Sequence, residues 1–168
     1  MTIKSLFAPL SAIALSLGVA ACGGDAEAPV ETAPEAPAGI SVTDGRMTLP
    51  AVSGNPGAVY FTITNGGDEQ VMIREAYVMG AGSAMMHETS EWSRQVDMQE
   101  LFQVPVPAGG ETVFAPGGKH VMAFDLDDTL AAGGETEVTL TFTGGDKVSF
   151  PATLLAPGTD AASAEAAE

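Results

Sequence analysis

Between residues 40 and 156 the chain keeps a two-residue rhythm of apolar and polar positions. Val59, Phe61 and Ile63 alternate with Tyr60, Thr62 and Thr64, and Val138, Leu140 and Phe142 alternate with Thr139, Thr141 and Thr143. Val148, Phe150 and Leu154 continue the pattern. In an extended chain successive side chains leave opposite faces, so each run predicts a strand with one buried face. Turn signals separate the runs: GNPG at 54–57, NGGD at 65–68, AGGE at 108–111, PGG at 116–118, AGGE at 132–135 and TGGD at 143–146. No stretch of this region holds a helical period. Many short strands joined by Gly-rich turns predict an all-β antiparallel sandwich or barrel.

The flanks follow other patterns. Lys4 precedes an apolar run from Leu6 to Ala21, short for a membrane span and rich in small residues at its end. It closes in Val19-Ala-Ala-Cys22, which resembles the lipobox of bacterial lipoproteins. The resemblance implies removal of a signal peptide at 1–21 and a lipid on Cys22. Several acyl chains on one Cys anchor stably where one chain binds only marginally. Gly23, in place of Asp, leans towards the outer membrane by the usual sorting pattern. Residues 22–39 are Ala, Pro, Glu and Gly with little to bury, the composition of a tether. Residues 157–168 read as a disordered acidic tail. One domain of ordinary size, 40–156, lies between them.

Charge narrows the partners. Six Lys and Arg against 22 Asp and Glu give a formal net charge of −16. No basic patch exists to neutralise phosphates, so nucleic acid is excluded as a partner. Cys22 is the only cysteine, so the folded domain has neither a disulfide nor a thiolate.

The chemistry rests on four residues. The chain has two histidines, His87 and His120, and with Met98 and Met122 they form H-x10-M-x21-H-x-M. His120 and Met122, two apart on a strand, leave the same face. His87 and Met98 flank a segment long enough for a hairpin with an elaborated loop. Imidazole with thioether selects a soft or borderline metal, and Cu(I) is the best match. Two Met donors count against zinc, which takes thiolate, imidazole or carboxylate. Thioethers carry no proton to lose and form no disulfide, which suits an oxidising compartment. A blue electron-transfer site requires a Cys thiolate and is ruled out for the domain.

The same spacing resembles the signature of the PCu(A)C-type periplasmic copper chaperones, as do AVYFTITN at 58–65, MMHET at 85–89 and VPAGGETVFAPGGKHVMAFDL at 106–126. The resemblance covers about residues 40–155. It implies a cupredoxin-like fold and one Cu(I) per chain, bound by His87, Met98, His120 and Met122. It also implies a role in acquiring copper and handing it on, towards a copper-accepting oxidase subunit or assembly factor at CuA assembly. The expected protein is a monomer, lipid-anchored on the periplasmic side of a membrane. The alternative is a non-catalytic β-sandwich lipoprotein with a copper storage, tolerance or purely structural role. An enzyme is disfavoured: both histidines belong to the motif, and neither a nucleophile elbow nor a phosphate-binding glycine loop is present.

Other residues carry weaker expectations. Met47, Met72 and Met79 read as core filler. Met85 shares the parity of His87 and is a candidate spare ligand, while Met86 faces away. Trp92 is either a shield over the metal or a loop anchor. Asp125, Asp127 and Asp128 read as a solvated acidic turn and not as a hard-cation site.

The lipobox generates a direct test: the mature protein begins at a lipidated Cys22 and sediments with membranes, and Cys22→Ser releases it or blocks processing. Mass spectrometry finding an unmodified Cys22 in the mature chain contradicts this.

Overall fold

The computed structural model describes residues 36–92 and 95–159, without the side chains of residues 91, 92, 95 and 96. The signal peptide, most of the tether, most of the tail and the Trp92 side chain therefore lie outside the described residues. Ten strands follow in order: β1 Ile40–Thr48, β2 Gly57–Asn65, β3 Val71–Val78, β4 Ala81–Trp92, β5 Gln95–Glu100, β6 Val104–Val106, β7 Gly110–Phe114, β8 Lys119–Leu126, β9 Glu135–Phe142 and β10 Lys147–Leu155. No helix occurs among the described residues. The fold is all-β, as the alternating pattern predicts.

The strands form one sheet in the order β5-β4-β8-β7-β2-β1-β10-β9-β3-β6. Every turn signal of the sequence falls between strands or overlaps a strand end, and Gly133 and Gly145 take φ of 86° and 93°, a conformation that glycine adopts without a Cβ clash. Pairing is antiparallel with two exceptions, which differ from the antiparallel expectation. β1 runs parallel to β10 through Arg46–Thr48 and Thr153–Leu155. Parallel neighbours need a long crossover, and here the whole domain supplies it, so its first and last strands lie side by side. β7 and β8 share one parallel pair, Phe114 with Lys119. Both run antiparallel to β2: β7 along Phe61–Asn65 and β8 along Gly57–Val59. The chain steps sideways at 115–118, and β8 then lies between β2 and β4.

The buried face gathers the apolar positions of these strands. Met47, Val59, Phe61, Ile63, Val121, Val138, Leu140 and Leu154 are all buried. Phe61 stacks on Phe114 with ring centroids 4.3 Å apart and meets Phe150 at 5.0 Å. Asn65 is buried with its amide fully used. Its Nδ2 donates to the carbonyls of Glu69 (2.8 Å) and Val106 (3.2 Å), and its Oδ1 accepts from Gly67 N–H (2.9 Å). That side chain ties the 65–68 turn to β6.

Three expectations change: Met72 is not core filler but half-buried, on the face of β3 opposite the buried Ile73. Met79 is not core filler: it is 52% exposed at the turn between β3 and β4, where the chain reverses. The β4–β5 hairpin has no elaborated loop, because its ladder continues to Trp92 opposite Gln95 and leaves two residues between them. Met47, by contrast, is fully buried.

Phe61→Ala should therefore cost about 3–5 kcal/mol in urea unfolding, whereas Met79→Ala should stay within about 0.5 kcal/mol of the parent. Equal losses for the two variants would contradict this packing.

Candidate metal centre

The candidate ligands come from three adjacent strands, β5, β4 and β8. In an antiparallel ladder, residues directly opposite each other project from the same face. His87 lies opposite His120, and Met85 opposite Met122. Met98 lies opposite Thr89, which shares the parity of His87, and Glu100 lies opposite His87. All four predicted ligands therefore sit on the outward face of one three-stranded ribbon. The inward face takes Met86 and Val121, both buried in the core, which confirms that Met86 points away.

The two imidazoles form the centre. Their ring centroids are 6.0 Å apart with planes inclined by 24°. His120 is 6% exposed, and its Nδ1 lies 3.0 Å from the Gly118 carbonyl oxygen. A carbonyl only accepts, so Nδ1 carries the proton and Nε2 keeps its lone pair for a metal. His87 is half-buried, and its Nδ1 is enclosed with no hydrogen-bond partner among the described residues. An enclosed nitrogen left unpaired costs about 1–3 kcal/mol. Coordination would satisfy it, and the residues present therefore fit a metal.

Met122 is half-buried next to His120, flanked by Met85 on β4 and by the small Ala58 on β2. Met98 is 50% exposed on the edge strand, one pair of residues beyond His87 and two strands from His120. The ribbon thus brings His87, His120 and Met122 together and leaves Met98 at its rim. Lys119 and Glu88 close the neighbouring inward position with an ion pair of 2.7 Å.

Two residues near the site were not singled out by the motif. Tyr60 continues the β2–β8 register, and its ring lies 6.4 Å from that of His120. Arg46 lies opposite Tyr60, with its Cζ 5.6 Å from the Tyr60 ring centroid. Their outward parity is visible in the sequence, but the pairing of β2 with β8 that carries them to the site is not.

The acidic turn is as expected. Asp125, Asp127 and Asp128 are exposed. The Thr129 backbone N–H, donating to Asp127 Oδ1 at 2.9 Å, holds that carboxyl below its usual range, with the Thr129 side chain adding to the effect. Among the described residues no three His, Cys, Asp or Glu side chains are grouped to hold a metal ion. On the same outward face the thioethers of Met85 and Met122 lie beside the paired imidazoles.

The domain is similar to known proteins along most of its length. Residues 40–154 match the family described as "Putative lipoprotein LpqE-like". The "Putative lipoprotein Lxx21020" of Leifsonia xyli subsp. xyli (strain CTCB07) is 29% identical over 133 residues, 79% of each chain. Among solved structures, the apo PCuAC domain from PmoF1 is 27% identical with a TM-score of 0.60, over 71% of this chain and 95% of that one. The solution structure of CuI-DR1885 from Deinococcus radiodurans is also 27% identical, with a TM-score of 0.50, over 71% of this chain and 80% of that one.

Proposed function

Because this chain belongs to the LpqE-like lipoprotein family, we propose that it is an extracytoplasmic Cu(I) chaperone, held at a membrane by lipid on Cys22. Its domain has the cupredoxin-like PCuAC architecture. In this reading one Cu(I) binds per chain through His87, Met98, His120 and Met122. The observation that carries the proposal is the outward pairing of His87 with His120, one nitrogen enclosed and unpartnered, the other ring fixed by Gly118.

The chemistry follows from the donors. All four are neutral when binding, so the chain needs only to keep both imidazoles unprotonated. Thioethers prefer Cu(I) and are poor zinc ligands. Accessibility of the donors is graded: His120 is buried, His87 and Met122 are half-buried, and Met98 stands at the exposed rim. The buried end anchors the ion, and the exposed end is where an acceptor's ligand enters. Such a site suits handing copper on, towards an oxidase subunit or an assembly factor at CuA assembly. The −16 charge favours the approach of cations in general and adds no selectivity.

An anaerobic Cu(I) titration of the mature chain carrying Cys22→Ser, against a competing chelator, tests the proposal. One equivalent should bind, with Zn(II) a poor competitor. His120→Ala should lower affinity at least about 10-fold, a loss that even changes outside the first coordination shell reach. Affinity should fall as pH falls, because a protonated imidazole has no lone pair to donate. Met98→Ala should weaken binding at every pH and keep that slope, whereas His120→Ala should flatten it. Affinity unchanged by His120→Ala, or no binding by the parent, would favour a purely structural lipoprotein.

A further inference from the structure

We infer that Met85 is a third thioether of the copper site, replacing Met98 as the fourth donor to Cu(I) from the other side of the paired histidines. The inference rests on the copper reading above and deepens it.

Register carries the argument. Met85 lies directly opposite Met122 and diagonally from His120, one strand from β8. Met98 lies diagonally from His87 and two strands from β8. Directly opposite Cβ atoms are about 4.5–5.5 Å apart and diagonal neighbours lie at about 7–8 Å. Beside His120 and Met122, the ribbon therefore places Met85 closer than Met98, on the other side of the histidines.

Met85 is not part of the hydrophobic core. The core side of this stretch is filled by Met86, which is 4% exposed, while Met85 is 38% exposed on the outward face. The neighbour of Met122 on β2 is Ala58, which offers a methyl group and no donor. Met85 is thus the thioether within direct cross-strand reach of Met122. A large unbranched side chain held there spends apolar surface on solvent, and its sulfur is the one group it has to offer a soft cation.

The exchange is a simple substitution. The bond from copper to the Met98 sulfur breaks as that to the Met85 sulfur forms, with no electron or proton moved. His87, His120 and Met122 hold the ion throughout. With Met85 bound, the Met98 side of the ion opens towards the edge of the sheet, where a partner's ligand attacks. Met85 thereby keeps the ion four-coordinate while the exposed hairpin lets go.

X-ray absorption on the Cu(I)-loaded mature chain with Cys22→Ser counts the sulfur neighbours. The parent should show two. Met98→Leu should still show two, because Met85 becomes the fourth donor, and Met85→Leu/Met98→Leu should show one. Met85→Gln/Met98→Leu should also show one, so the result does not depend on how a single replacement packs. Met85→Leu alone should keep two sulfurs and slow copper transfer to a chelator several-fold. One sulfur in Met98→Leu, unchanged by the second substitution, overturns the role of Met85 and leaves the four-ligand site standing. No sulfur in the parent overturns the four-ligand site itself, and the role of Met85 with it.

Discussion

The register of β4 against β8 is the constraint on which the site depends. With His87 opposite His120, the outward face holds two imidazoles and two thioethers, and the inward face holds Met86 and Val121. A slip by one residue would turn the slipped strand's donors into the core and its core side chains into water. Burying a Val or Met side chain is worth about 1.5–3 kcal/mol, so the core resists that slip far more strongly than the Lys119–Glu88 pair. That pair is partly solvated, and such exposed pairs contribute about 0–1 kcal/mol. The hydrophobic core thus selects, indirectly, the face that carries the candidate ligands.

β8 carries this information because it is held on both sides. β2 pairs with it through Gly57–Val59 and β4 through Ala81–Glu88. The sideways step at 115–118 opens the position next to β2 for it, and Gly118 at the end of that step accepts from the His120 ring. One loop therefore both inserts the strand and orients its histidine. The Tyr60 ring and the Arg46 guanidinium extend the outward row from His120 across β2 and β1. β5, at the sheet edge, brings Met98 to the exposed rim of that face.

Much of this was legible in the sequence, for local reasons. Period-two runs such as Val59, Phe61 and Ile63 report a strand and its buried face without knowledge of its neighbours. The two-residue step from His120 to Met122 and the opposite parities of Met85 and Met86 are equally local. What stayed hidden depends on pairings between distant segments. The parallel contact of β1 with β10 joins the two ends of the domain, and no turn residue announces it. Tyr60 and Arg46 reach the site only through the pairing of β2 with β8. Met79 was misread because its apolar side chain suggested core, whereas the turn it occupies leaves it uncovered. The hairpin loop was overestimated because the pairing of Trp92 with Gln95 leaves no signal in the motif's spacing.

The central claim is that two imidazoles and two thioethers on one strand face share a single soft ion. Its most direct test is nuclear magnetic resonance of the mature chain carrying Cys22→Ser, with Met methyls and His ring nitrogens labelled, during anaerobic addition of Cu(I). The account predicts that the His87 and His120 nitrogens and the Met98 and Met122 methyls shift together and saturate at one equivalent, while the core methyl of Met47 stays in place. Saturation of the histidine signals with the Met98 and Met122 methyls unmoved would contradict it.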